Sequence, residues 1–117
     1  MSEATLSDCH CKLIELDGKL QAVISVALRA AQDEESHLAL LPELESRSSD
    51  LEDAFSHVSK VLPTRARAAL LVLFQDAEHY LSKLRDPFLD PDFLVSDYQE
   101  VFKQTRRDLA RFMDAYR

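Results

Sequence analysis

Four histidines, His10, His37, His57 and His79, carry the chemistry for which this chain is best equipped. Imidazole changes charge near neutral pH and is the commonest nitrogen ligand for metals. Two of the four stand three residues after an acid, in Glu34-Glu35-Ser36-His37 and Asp76-Ala77-Glu78-His79. At that separation an acid and an imidazole share one helix face. Dinuclear metal centres inside helical bundles use this spacing, with two such pairs and two further carboxylates pointing inward. His79, however, falls opposite the apolar stripe of its own segment and should face water. Only Glu34 with His37 lies near an apolar face, and one pair cannot hold two metals. No metal and no cofactor are expected.

His57 has a different neighbourhood. Phe55-Ser56-His57-Val58-Ser59-Lys60-Val61 contains His-x-x-Lys, with His57 on the flank of its helix and Lys60 pointing outward. The motif resembles part of the signature of histidine phosphotransfer domains. That resemblance implies a four-helix bundle in which an exposed histidine, here His57, carries a phosphoryl group between response-regulator aspartates. Lys60, one turn later, would help neutralise the phosphate. The family places a glycine next, where this chain has Val61, and Pro63 ends the helix sooner than the family would. The resemblance covers four residues and an architecture. It makes His57 and Lys60 the alternative site, as a phosphoacceptor pair, against a reading in which both are simply solvated.

Other reaction chemistry finds little footing. Cys9 and Cys11 flank His10, but Cys-X-Cys is a poor intrachain disulfide and two sulfurs are too few for a structural zinc site. Turning about 100° per residue puts Cys9 on the apolar stripe and Cys11 toward solvent. The only glycine, Gly18, rules out phosphate-cradling glycine loops and the Gly-x-Ser-x-Gly nucleophile elbow. Adjacent carboxylates such as Glu34/Glu35 and Glu52/Asp53 sit on polar faces and imply no pocket. Lys103, Arg106, Arg107 and Arg111 gather on one side of the last helix. Glu100, Asp108 and the acidic first half of the chain offer compensation, so that face reads as solvated and salt-bridged, not as a nucleic-acid site.

The elements that must position these residues are helical. With one glycine in 117 residues the chain has little access to hairpin turns, and its apolar residues recur every three and four positions. Leu6, Leu13, Leu20 and Ala27 alternate with Cys9, Leu16, Val23 and Ala30 in an a/d pattern over more than three heptads. This predicts a first helix over about 6–32, starting near the capping-box spacing Thr5-Leu6-Ser7-Asp8. Leu38, Leu41, Leu44, Leu51, Phe55, Val58 and Leu62 share a phase and predict a second helix over 34–62. Pro42 or the Ser46–Asp50 run could kink or break it, since Ser49-Asp50-Leu51-Glu52 is a second capping box. A third helix spans 64–85 on Leu70, Leu73, Phe74, Ala77, Tyr80, Leu81 and Leu84, with Thr64 able to cap. After a loop holding Pro87 and Pro91, a fourth covers 91–116, capped by Asp90, with Leu94, Tyr98, Val101, Phe102, Leu109, Phe112, Met113 and Tyr116 on its apolar face. Four long helices with short connections predict one all-α domain, an antiparallel up-down-up-down four-helix bundle.

Composition bounds the function. The formal charge is −7, with twelve acids and five bases in residues 1–60 and nine of each in 61–117. An acidic half disfavours nucleic acid and anionic membranes and suits a basic partner. No stretch approaches the roughly 18 apolar residues of a membrane span, and the first residues lack a secretory signal, so a cytoplasmic location is expected. By elimination the chain reads as a small non-enzymatic helical protein acting through protein–protein interaction: a regulator, adaptor, inhibitor or immunity-type protein. Its first-choice contact residues are Glu43, Glu45, Asp50, Glu52 and Asp53, then Phe88 and Leu89 in the loop. The seam of the first helix also suits a homodimer.

Overall fold

A computed structural model describes residues 3–88 and 95–116, with side chains from Asp8 onward. The described residues form α1 (Glu3–Ala30), α2 (Glu34–Ser59), α3 (Thr64–Arg85) and α4 (Val95–Asp114), with no strand among them. They pack as an up-down-up-down four-helix bundle measuring 50 × 22 × 18 Å. Two long-range hydrogen bonds fix the sense of successive helices. Cys9 Sγ near the start of α1 donates to the Val61 carbonyl just past α2, at 3.4 Å. His37 near the start of α2 meets the Leu84 carbonyl near the end of α3, at 2.6 Å. α1 is the hub: it packs along α2 over the greatest extent, touches α4, and reaches α3 across the diagonal, whereas α2 and α4 do not meet among the described residues.

The heptads of α1 explain that role. Leu13, Leu20, Ala27, Cys9, Leu16, Val23 and Ala30 are all fully buried. Each leucine so removed from water contributes about 1.5–3 kcal/mol. The side chain of Leu6 lies outside the described set. Gly18 is exposed, with nothing within 4 Å of where a Cβ would stand, so it leaves no hole.

Helix ends depart from expectation where a cap was inferred from spacing alone. α1 is already helical at Glu3, so Thr5-Leu6-Ser7-Asp8 sits inside the helix and is not its start. α2, by contrast, is one helix through Pro42 and through the serine run, so the alternative break at the second capping box is not taken. Pro42 is exposed, so its ring meets solvent, although the Leu38 carbonyl loses its usual donor. Ser48 is buried in register with Leu44, Leu51, Ala54 and Val58, and this packing keeps a weak helix former helical. The true cap of α2 is Asp33, whose carboxylate accepts from Ser36 N at 2.7 Å. These bonds to the backbone hold the Asp33 carboxyl below the ordinary aspartate range.

The α2 helix closes at Ser59 instead of Leu62, because the chain must turn before Pro63; Leu62 is nevertheless buried. Leu38, expected inside, is 58% exposed, and His37 takes the inward position. At α3 the cap position belongs to Pro63, which has no side-chain bond to offer, and Thr64 is the first helical residue. α4 is described from Val95, so the Asp90–Pro91 start and Leu94 lie outside the described residues. Thr105 joins Tyr98, Phe102 and Leu109 in the core, its hydroxyl donating to the Val101 carbonyl at 3.0 Å. Val101, Phe112, Met113 and Tyr116 are half-buried at the edge.

Candidate functional site

α2 and α3 are neighbours in the bundle, yet they pack over a smaller extent than the other adjacent pairs. A groove of about 510 Å³ opens between them. Its floor is Leu51, Phe55, Leu71 and Phe74, and its rim carries Glu52, Ser56, Ser59 and Glu78. Phe55 and Phe74 meet edge to face across the two helices, ring centroids 5.6 Å apart. Beside the floor, Leu71 and Val72 are 56% and 64% exposed, an unusual density of bulky apolar side chains in water. At one end Arg85 holds Glu78 at 2.9 Å and reaches toward Glu52 at 3.8 Å. Ser59 Oγ is buried in the groove wall with no hydrogen-bond partner among the described residues.

This groove collects only part of the site expected from sequence. Glu52 lines it. Glu43, Glu45 and Asp53 are exposed on α2 but do not line it, and Asp50 is half-buried. Phe88 is 84% exposed beyond the end of α3, in a separate hollow with Leu38, Pro87 and Glu34. Leu89 lies outside the described residues. Phe55, Leu71, Val72 and Phe74 were not singled out as contact residues, although a signal existed. Leu70–Phe74 is five apolar residues in a row, more than one face of a helix can bury.

The histidines separate cleanly. His79 is exposed, as its position opposite the stripe predicts. His37 is 1% exposed, and its Nε2–H donates to the Leu84 carbonyl, one of the orphan acceptors at the end of α3. Its work is to tie the start of α2 to the end of α3. His57 and Lys60 are both exposed, and they sit at the C-terminal end of α2, Lys60 at the cap. Val61, in the place of the phosphotransfer family's glycine, is half-buried. No three His, Cys, Asp or Glu side chains among the described residues converge as a metal site requires.

The thiols differ as their phases predict. Cys9 is buried; burial first, then the neighbouring Asp8 carboxylate, pushes its thiol up, which leaves it protonated and unreactive. Cys11 is exposed. Near Cys9, burial likewise raises the Tyr116 phenol above its usual value. No helix of the described residues is long and apolar enough to cross a membrane. Comparison of the chain with protein-family models, with curated proteins and with solved structures finds no match.

Proposed function

We propose that this chain is a small non-enzymatic helical protein that works by binding another protein, as a regulator, adaptor, inhibitor or immunity-type protein, and that the α2–α3 groove is where the partner sits. The observation that carries this reading is the groove floor, an apolar surface left open by two adjacent helices of the bundle. The occupant is an amphipathic helix. From Glu52 to Ser59 the groove follows about two turns of α2, roughly 10 Å, which suits anchors spaced i, i+3/i+4 and i+7 on a guest helix. Such anchors would cover Leu71 and Phe55. Lysine or arginine beside them would meet Glu52 on the rim, which Arg85 approaches only to 3.8 Å, whereas Glu78 is already engaged by Arg85 at 2.9 Å.

Affinity capture with the intact chain, followed by mass measurement of what is retained, tests the reading. The partner should be retained by the wild type, lost from Leu71→Glu, and kept by Lys103→Glu on the opposite flank. Capture that survives Leu71→Glu unchanged would place the contact elsewhere.

The alternative is a histidine phosphotransfer-like phosphocarrier, favoured by the joint exposure of His57 and Lys60. Against it, phosphate on His57 would lie at the negative end of the α2 dipole. Incubation with a phosphorylated response regulator decides: acid-labile label that disappears in His57→Gln would support the carrier.

A further inference from the structure

The opposite flank of the bundle holds a second cleft with the opposite charge. Between α1 and α4 lies a hollow of about 410 Å³, floored by Ile24, Leu28 and Phe102. Lys103, Arg106 and Arg107 stand along its α4 side, and all three are exposed. The sequence suggested that local acids would neutralise this face. They do not. Arg106 reaches only Asp17, at a long 3.9 Å, while Asp108 accepts instead from Gln104 at 2.9 Å. Lys103 and Arg107 make no ion pair among the described residues. Uncompensated cations beside an apolar floor call for an occupant that is apolar in the middle and acidic at its edge.

The chain itself carries such a surface. Where α2 begins and α3 ends, Leu38 and Phe88 are 58% and 84% exposed around a hollow of about 430 Å³ that Glu34 also lines. Glu35 is exposed beside them. The geometry points to a second copy of this chain as the occupant of the α1–α4 cleft. The Leu38–Phe88 patch of one copy covers Ile24, Leu28 and Phe102 of the next, and Glu34 and Glu35 face Lys103 and Arg107. Patch and cleft belong to different flanks, one formed by α2 and the end of α3, the other by α1 and α4. The contact is therefore head to tail, leaving every pair one free patch and one free cleft. Assembly of this kind grows until a ring closes. At −7 apiece, two copies repel at long range, so the local charge pairing has to carry recognition.

Two double variants of exposed residues test this without touching the core: Lys103→Glu with Arg107→Glu to disable the cleft, and Leu38→Ser with Phe88→Ser to disable the patch. Circular dichroism checks that each remains helical. By light scattering, the average mass of the wild type should rise with concentration. Each variant alone should remain monomeric, or associate more weakly by at least about tenfold. Mixed in equal amounts, the two should form a discrete heterodimer and stop there, since one retains only a patch and the other only a cleft. A wild type that stays monomeric at every concentration, association insensitive to both variants, or a mixture that stays monomeric would each overturn the proposal.

Discussion

One helix, α2, has two unlike sides. One is the buried stripe Leu44, Ser48, Leu51, Ala54 and Val58, small residues alternating with large ones, on the helix that packs along α1 over the greatest extent. Toward α3 it offers Leu51, Phe55, two serines and a glutamate, and the bridges are the Phe55–Phe74 pair and the His37–Leu84 hydrogen bond. The α1–α2 seam resembles a coiled-coil interface. The α2–α3 side resembles half of one, with the other half missing. The difference teaches where folding free energy is concentrated and where apolar surface is left over for something else.

Breaking the seam should have the largest effect. Leu20 is fully buried, so Leu20→Ala removes transfer free energy and leaves a cavity, costing about 2–5 kcal/mol in denaturant unfolding. A cost under about 1 kcal/mol would mean that the seam is not the mainstay. Next comes the tie between helix ends. His37→Leu keeps apolar bulk but deprives the buried Leu84 carbonyl of its donor, and should cost about 1–3 kcal/mol. Faster amide exchange at the start of α2 and the end of α3 should accompany it.

The groove should behave in the opposite way. Leu71→Glu acts at a side chain already half in water and should shift unfolding by no more than about 0.5 kcal/mol. The same variant should abolish partner capture, and a large loss of stability would show that the groove floor belongs to the core after all. The smallest effect is at the α2 cap. Because backbone bonds depress the Asp33 carboxyl in the folded state, its contribution is complete above the ordinary aspartate range and is lost as pH falls through the depressed value. Thermal melts of wild type and Asp33→Asn should therefore converge as the solution is acidified through that window.

Periodicity made much of this legible. Every described a/d residue assigned to the first helix is buried, because a heptad seam leaves little freedom about which side faces in. Reading along one strand of sequence fails where a neighbour decides. Nothing near His37 announces that its ring will meet a carbonyl 47 residues away. The capping spacing misled at Thr5, where α1 is already helical from Glu3, whereas at Ser49 the shared apolar phase of α2 prevails over the alternative break, with Ser48 buried in the run. Leu71 and Val72 were overlooked for a related reason. The stripe through Leu70, Leu73 and Phe74 passes them by, and it cannot register that α3 packs over only a small extent against α2. The acids chosen for their charge are mostly solvated along α2, and only Glu52 has the apolar company of a binding surface.

Site-directed photo-crosslinking addresses the central claim most directly. In a Cys11→Ser background, Ser56→Cys would carry the label inside the groove and Ser25→Cys would carry it on the exposed side of α1. Partner protein crosslinked from position 56 and not from position 25 is the predicted outcome. A partner that is retained but crosslinks from position 25, or from neither, would contradict the α2–α3 groove as its seat.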